Sequence, residues 1–119
     1  MSRVLVVDDE PNIAVLVTFC LDNLGVEVVQ ADGLDSALEQ VREGDIGLVL
    51  LDLALGDEDG LRILPRLREE PNLSGIPVVA FTAHDSRRSE AFHSGVDSFL
   101  SRPFQAEQLR STVELHLVR

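Results

Sequence analysis

Acidic and hydroxyl side chains stand at the ends of three short apolar segments of this chain. They are Asp8 and Asp9 after V-L-V-V, Asp52 after L-V-L-L, and Thr82 after V-V-A-F. A short, continuous apolar run is typical of a strand that is buried on both faces of a sheet. If these strands are parallel neighbours, all four side chains emerge at the edge of the sheet where open α/β sheets bind their ligands.

Three carboxylates at one edge create an electrostatic problem that a cation would solve. At a separation of about 4 Å, each pair repels by roughly 4 kcal/mol at an effective dielectric constant of about 20, so protons or a cation must compensate. Oxygen ligands at an open site suit Mg²⁺. We predict Asp9 and Asp52 as direct ligands, and Asp8 as a ligand either directly or through water. The backbone carbonyl of Ala54 is a further candidate ligand.

Bound Mg²⁺ would leave Asp52 with a free oxygen for nucleophilic chemistry. That oxygen can attack phosphorus and form an acyl phosphate, because the metal neutralises charge on the phosphoryl oxygens. The Thr82 hydroxyl can donate a hydrogen bond to another of these oxygens. Arg102, at the end of the fifth predicted strand, supplies a cation for a third. The residues therefore predict a phosphoryl site beside a metal site.

The composition restricts the classes of protein to consider. With 119 residues, 45% of them hydrophobic, we expect a single domain over 1–119 with a substantial core. No apolar stretch approaches the ~20 residues of a membrane span, no signal peptide is apparent, and the single cysteine, Cys20, cannot form an internal disulfide. We therefore expect a cytoplasmic protein. The net charge of −11 argues against direct binding of nucleic acid.

Apolar patterns that alternate along the chain predict five strands and five helices. The predicted strands are 3–7, 26–31, 46–51, 78–82 and 97–101. The predicted helices are 11–24, 34–43, 60–70, 85–94 and 105–117, and an acidic loop spans 53–60. Pro65 is expected to bend or delay the start of the third helix. This alternation predicts an α/β fold with a doubly wound parallel sheet, in the order 2-1-3-4-5, whose switch point lies between strands one and three.

Taken together and in order, these motifs resemble the receiver domains of two-component response regulators, over the whole chain. The motifs are Asp8-Asp9, Asp52 in L-L-D-L, Asp59-Gly60-Leu61, Thr82-Ala83, and Phe99 followed by R-P-F at 102–104. The resemblance implies a flavodoxin-like fold. It also implies that Asp8 and Asp9 hold Mg²⁺, and that Asp52 accepts a phosphoryl group from a histidine kinase or phosphotransfer protein.

The resemblance further implies a conformational switch rather than a turnover enzyme. Thr82 would be the switch hydroxyl and Phe99 the switch aromatic, and the surface of helix four, strand five and helix five would change when Asp52 is phosphorylated. An output domain or protein would read this surface, and a homodimer through it is an open alternative. Phosphorylation would thus shift a population between two existing states. The only catalysis expected is self-phosphorylation and slow dephosphorylation.

Arg102 departs from the pattern of this family, which has lysine at the corresponding position. All ten basic residues of the chain are arginine. Arginine keeps the positive charge, but it is longer and planar, so the exchange is not neutral. The substitution favours an alternative function, a pseudo-receiver that acts as an interaction module without phosphorylation. Leu55-Gly56 replaces the family's methionine-proline, and His84 is expected to border the site.

Two of the motifs also have simpler structural interpretations. Asp8 and Asp9 can cap the first helix, and Arg87-Arg88 can form a solvated helix face.

Two other classes of protein, one enzymatic and one cofactor-binding, are disfavoured. A phosphatase of the haloacid dehalogenase type needs Asp-x-Asp, whereas Ala54 lies two residues after Asp52. A flavodoxin-like FMN protein needs a hydroxyl-rich loop where this chain has D-D-E-P.

Overall fold

The structure, a computed structural model, describes residues 2–70, 75–83 and 85–117. The strands are β1 (Arg3–Val7), β2 (Glu27–Ala31), β3 (Ile46–Asp52), β4 (Ala54–Leu55), β5 (Glu58–Asp59), β6 (Val78–Thr82) and β7 (Ser98–Ser101). The helices are α1 (Ile13–Cys20), α2 (Leu34–Glu43), α3 (Ile63–Glu69), α4 (Arg88–Ser94) and α5 (Ala106–His116). Short 3₁₀ turns, Gly60–Arg62 and Asp85–Arg87, precede α3 and α4. His84 lies outside the described residues.

Five strands form a parallel sheet in the order β2-β1-β3-β6-β7. This confirms the predicted order 2-1-3-4-5, because β4 and β5 form a separate two-stranded antiparallel pair. Val7 of β1 is paired with Leu51 of β3, so the next residues, Asp8 and Asp52, lie side by side at the carboxyl edge of the sheet. The switch point of the sheet lies between these two strands.

Both faces of the sheet are covered, as the apolar strands require. Because successive strand residues point to opposite faces, Leu5 and Val7 pack with α2, α3 and α4, whereas Val4 and Val6 pack with α1 and α5. Cys20 is a buried free thiol in the second of these cores. No helix in the described part of the chain is long and apolar enough to cross a membrane.

Two local predictions differ from the structure, and a third agrees with it. The acidic loop 53–60 contains the β4–β5 pair, since Ala54 pairs with Asp59. The first helix ends at Cys20 rather than near residue 24, because Leu21 already leaves the helical conformation, and the chain then takes a positive φ at Asn23. The third helix begins only at Ile63, as the prediction of a delayed start from Pro65 allowed.

Candidate metal and phosphoryl-transfer site

The three predicted acids meet at the carboxyl edge of the sheet. One carboxylate oxygen from each of Asp8, Asp9 and Asp52 lies within 4.8 Å of the others. Asp8 and Asp52 are buried, with 1% and 8% of their surface exposed, whereas Asp9 is open to solvent. The cluster therefore has a buried floor and one accessible side.

Hydrogen bonds from the backbone orient the two buried acids. Asp8 Oδ1 accepts a hydrogen bond from the Glu10 N–H (2.9 Å), and Asp52 Oδ1 accepts one from the Ala54 N–H (3.1 Å). Each bond closes a turn of the kind that Asp side chains favour. This arrangement leaves Asp52 Oδ2 facing the acid cluster and Arg102.

Gln30 of β2 braces the loop that carries the acidic pair. Its Nε2 donates to the carbonyl of Asp8 (2.7 Å) and to that of Glu10 (2.9 Å), and its Oε1 accepts from the Ala14 N–H (3.3 Å). Sequence reasoning missed this residue. Its one signal is a polar side chain in the otherwise apolar strand V-V-Q-A.

The Arg102 guanidinium lies against the acids. Its Nη2 is 2.5 Å from Asp8 Oδ2 and 4.0 Å from Asp52 Oδ2, and its Nη1 is 3.3 Å from Glu10 Oε2. The guanidinium carbon stands 4.4 Å from the centre of the Phe81 ring, a cation–π geometry. The side chain is 25% exposed. The structure thus brings Arg102 to the cluster, as the sequence predicts, but with partners that the sequence did not reveal.

The environment of Asp52 makes its negative charge costly. Burial raises its pKa, and the charges of Asp8 and Asp9 add to the increase. The hydrogen bond from the Ala54 N–H and the charge of Arg102 lower the pKa, but do not cancel the increase. A cation bound among these acids would offset the same cost.

Thr82 and Phe99 lie near the end of the sheet, on the face opposite to Phe81. Asp52 is paired with Phe81, so Thr82 is the next residue on the neighbouring strand. Both Thr82 and Phe99 are buried, with 6% and 5% of their surface exposed. The guanidinium carbon of Arg88, on α4, lies 5.5 Å from the Phe99 ring centre, so this aromatic ring contacts both the core and α4.

The loop after Asp52 is held very close to the strand. A Cβ built on Gly60 would lie 2.1 Å from the Asp52 carbonyl oxygen, so only glycine fits there. The Gly60 N–H donates to the Leu53 carbonyl (3.0 Å). Asp59 accepts from the Leu61 N–H (3.1 Å) and so caps the following 3₁₀ turn.

Arg87 connects this loop to the start of α4, and is not part of a solvated helix face. It donates to Asp59 (2.9 Å), to Glu90 (2.9 Å) and to the Leu53 carbonyl (3.4 Å). The hydrogen bond from Arg87 lowers the pKa of Asp59 and that of Glu90. No local sequence pattern indicates this contact, because Arg87 and Asp59 are far apart along the chain.

Comparison with known proteins now identifies the family. The family model described as "Response regulator receiver domain" matches residues 4–114. The chain belongs to this family. It is 37% identical to the DNA-binding dual master transcriptional regulator RpaA of Synechocystis, an alignment that covers 100% of this chain and 50% of RpaA. It is 33% identical to the phosphate regulon regulator PhoB of Escherichia coli, over 94% of this chain and 50% of PhoB.

A solved receiver structure shows the same architecture. The response regulator TrrA of Thermotoga maritima, in complex with Mg²⁺ and a beryllium fluoride, superposes with a TM-score of 0.84 at 30% identity, over 98% of this chain and 100% of that one. The chain spans about half the length of the curated regulators RpaA and PhoB. It is therefore a receiver domain of the two-component response regulator type.

The receiver's own donor set fits Mg²⁺. Every side-chain donor in the described cluster of Asp8, Asp9 and Asp52 is a carboxylate oxygen, which is the ligand that Mg²⁺ prefers. The exposed Asp9 leaves room for the waters that Mg²⁺ keeps. The carbonyl of Ala54 remains a predicted ligand.

An apolar cavity adjoins the site. It measures about 400 Å³ and lies between α1 and the segment after β7, lined in part by Ile13, Leu16, Pro103 and Phe104 together with Arg102. Leu16 is 51% exposed. The acid cluster of the receiver domain therefore lies beside an apolar surface.

Proposed function

We propose that residues 1–119 form a single phosphoacceptor unit, with Asp52 as the acceptor. The observation that supports this proposal is the meeting of Asp8, Asp9 and Asp52 within 4.8 Å at the sheet's carboxyl edge. Mg²⁺, when bound there, supplies charge neutralisation for a phosphoryl group. Asp8, Asp9 and the carbonyl of Ala54 would hold it together with Asp52.

The chain's own residues then have distinct roles. We assign the attack on phosphorus to Asp52 Oδ2, because its Oδ1 already accepts the Ala54 N–H. As the new P–O bond forms, the bond from phosphorus to the donor breaks and the donor group leaves with its electron pair. Thr82 donates its hydroxyl to a phosphoryl oxygen, and Arg102 pairs with another. The only chemistry that we assign to the unit is this phosphorylation and the slow hydrolysis of the acyl phosphate by water.

A histidine kinase or phosphotransfer protein is the proposed donor. The apolar cavity beside Arg102 and the exposed Leu16 favour a protein donor, since a small phosphodonor would need no apolar surface. Phe99 and α4 would transmit the change to an output domain or protein at the face of α4, β7 and α5. The cytoplasmic location, the homodimer and the absence of nucleic-acid contacts remain predictions.

The pseudo-receiver is the second candidate, and Arg102 favours it. The guanidinium already pairs with the buried Asp8 at 2.5 Å, so the metal-free cluster is partly neutralised. A unit of this kind would keep the fold and bind partners without phosphorylation.

Phosphorylation by acetyl phosphate distinguishes the two candidates. We expect the wild type, incubated with Mg²⁺ and acetyl phosphate, to gain the mass of one phosphoryl group. We expect Asp52→Asn to gain none, because its amide is not a nucleophile, and Arg102→Lys to be labelled with a changed lifetime. Intact-mass spectrometry measures all three.

Matched variants make the outcome specific. Asp35→Asn removes an acid whose side chain is 90% exposed and should be labelled as the wild type is. Labelling of Asp52→Asn would remove Asp52 from its role. No labelling of the wild type, together with no spectral change on addition of beryllofluoride, would support the pseudo-receiver.

A further inference from the structure

Arg102 occupies the acidic cluster in a way that must affect metal binding. Both oxygens of the buried Asp8 already accept hydrogen bonds, Oδ1 from the Glu10 N–H at 2.9 Å and Oδ2 from Arg102 Nη2 at 2.5 Å. The same Nη2 lies 4.0 Å from Asp52 Oδ2. The guanidinium therefore stands where a cation bound to Asp8 and Asp52 would need space.

Phe81 holds the guanidinium in this position. Residues 81 and 102 lie on the same face of neighbouring strands, because Phe81 is paired with Leu100 and side chains alternate with a period of two. The Phe81 ring is 2% exposed, so it is a fixed, desolvated surface for the cation. Among the described residues, Arg102 Nε is the one buried side-chain polar atom without a hydrogen-bond partner. Stacking rather than a full set of hydrogen bonds thus fixes this end of the side chain.

We propose that Arg102, held over Phe81, is the resident cation of this acidic cluster, and that it competes with Mg²⁺. This inference rests on the proposed function, because it assumes that Mg²⁺ binds to the three acids. Binding of Mg²⁺ opposes the contact of the guanidinium with Asp8, because two cations held at one buried carboxylate repel each other. Phe81, which supplies no metal ligand itself, is then a determinant of metal affinity.

Two substitutions that conserve charge test the proposal. Phe81→Leu removes the aromatic face, and Arg102→Lys removes the planar group that stacks. We expect each to tighten Mg²⁺ binding, measured by isothermal titration calorimetry, by about three- to tenfold, the size of a partly desolvated cation–π contact. The double variant should gain less than the product of the two, because both changes remove one interaction.

Phe104→Leu is the matched control for loss of an aromatic ring. Phe104 packs edge-on against Phe81, with ring centres 6.4 Å apart, in the same core. We expect its Mg²⁺ affinity to stay within about twofold of the wild type. Equal tightening in Phe104→Leu would attribute the effect to loosened packing and overturn the proposal.

A second readout follows the guanidinium itself. In the metal-free protein the Arg102 Nε–H lies beside the Phe81 ring, so its NMR signal should carry a ring-current shift, assigned by its loss in Arg102→Lys. We expect addition of Mg²⁺ to move this signal towards that of a free arginine. A signal that stays in place while Mg²⁺ binds would overturn the proposal.

The outcomes separate this inference from the proposed function. If the wild type binds Mg²⁺ and is phosphorylated, but Phe81→Leu and Arg102→Lys bind Mg²⁺ no more tightly, the resident-cation proposal fails and the phosphoacceptor function stands. If neither the wild type nor the two variants bind Mg²⁺, the proposed metal site is wrong. The resident-cation proposal, which depends on that site, is then wrong as well.

Discussion

The three acids of the site differ in environment although they share a residue type. Asp8 is buried and paired with Arg102, Asp9 faces solvent, and Asp52 is buried with Arg102 Nη2 no closer than 4.0 Å to its Oδ2. Burial accordingly raises the pKa of Asp52. The ionised form of Asp52 is therefore less favourable in the metal-free fold than in the unfolded chain. A bound cation would offset this cost.

Removal of the Asp52 charge should stabilise the metal-free protein. A carboxyl whose folded pKa lies above its unfolded value destabilises the fold as the pH rises through that interval, and has no effect below the ordinary value of 3.8. We expect Asp52→Asn, in EDTA, to gain about 0.5–2 kcal/mol at neutral pH, and less as the pH falls towards 4. Urea unfolding at a series of pH values measures this.

Asp35→Asn is the control for that experiment, because its side chain is 90% exposed. Its free energy of unfolding should stay within about 0.5 kcal/mol of the wild type. A gain for Asp52→Asn that grows as the pH is lowered would contradict the argument.

At the scale of the elements, the loop from β3 to α3 is the part that fixes the acceptor. Gly60 packs against the backbone of Asp52, and Glu58 accepts a hydrogen bond from the Leu34 N–H (3.2 Å) at the start of α2. Arg87 binds Asp59 from the start of α4. The loop is therefore held by α2, by α4 and by the strand itself.

A methyl group at Gly60 should displace the acceptor. Because its Cβ would lie 2.1 Å from the Asp52 carbonyl oxygen, we expect Gly60→Ala to cost about 1–3 kcal/mol in the free energy of unfolding. We also expect labelling by acetyl phosphate to slow by about tenfold or more, since small displacements of a reacting group have large effects.

Gly75→Ala is the matched control, because nothing lies within 4 Å of a Cβ built there. It should change the free energy of unfolding by less than about 0.5 kcal/mol and leave labelling unchanged. A Gly60→Ala protein that is labelled at the wild-type rate would show that the close contact does not position Asp52.

In the whole molecule, the site and the proposed output face are one strand apart in the sheet. Thr82 ends β6, Phe99 lies on the adjacent β7, and Arg88 of α4 covers the Phe99 ring at 5.5 Å. On the opposite side of the sheet order, α2 packs beside β1 and β2. A signal from Asp52 thus has a short packed route to α4 through Thr82 and Phe99, whereas the acceptor loop meets α2 through the hydrogen bond from the Leu34 N–H to Glu58.

Beryllofluoride with Mg²⁺ should therefore change one side of the molecule. We expect amide hydrogen exchange in Arg88–Ser101 to change by about fivefold or more, the lower end of typical coupling between sites, while Leu34–Glu43 changes by less than about twofold. Asp52→Asn should show neither change. Equal responses on the two sides would indicate general stabilisation rather than a switch.

The sequence by itself determined the strands, their order and the acids at their ends. Apolar runs such as V-L-V-V leave no polar face, which favours central strands, and right-handed crossovers then leave few orders for the sheet. Asp8 and Asp52 follow directly, because parallel strands end at one edge. Local sequence carried all of this information.

Only the tertiary structure decided what surrounds the acids. The stacking of Arg102 on Phe81, the brace of Gln30 and the contact of Arg87 with Asp59 each join residues that are distant along the chain. Such contacts depend on strand register, side-chain rotamers and the path of a loop, and no local pattern encodes these. The acids and Arg102 were therefore predictable as a set, whereas the contacts that hold Arg102 among them became visible only when the chain was folded.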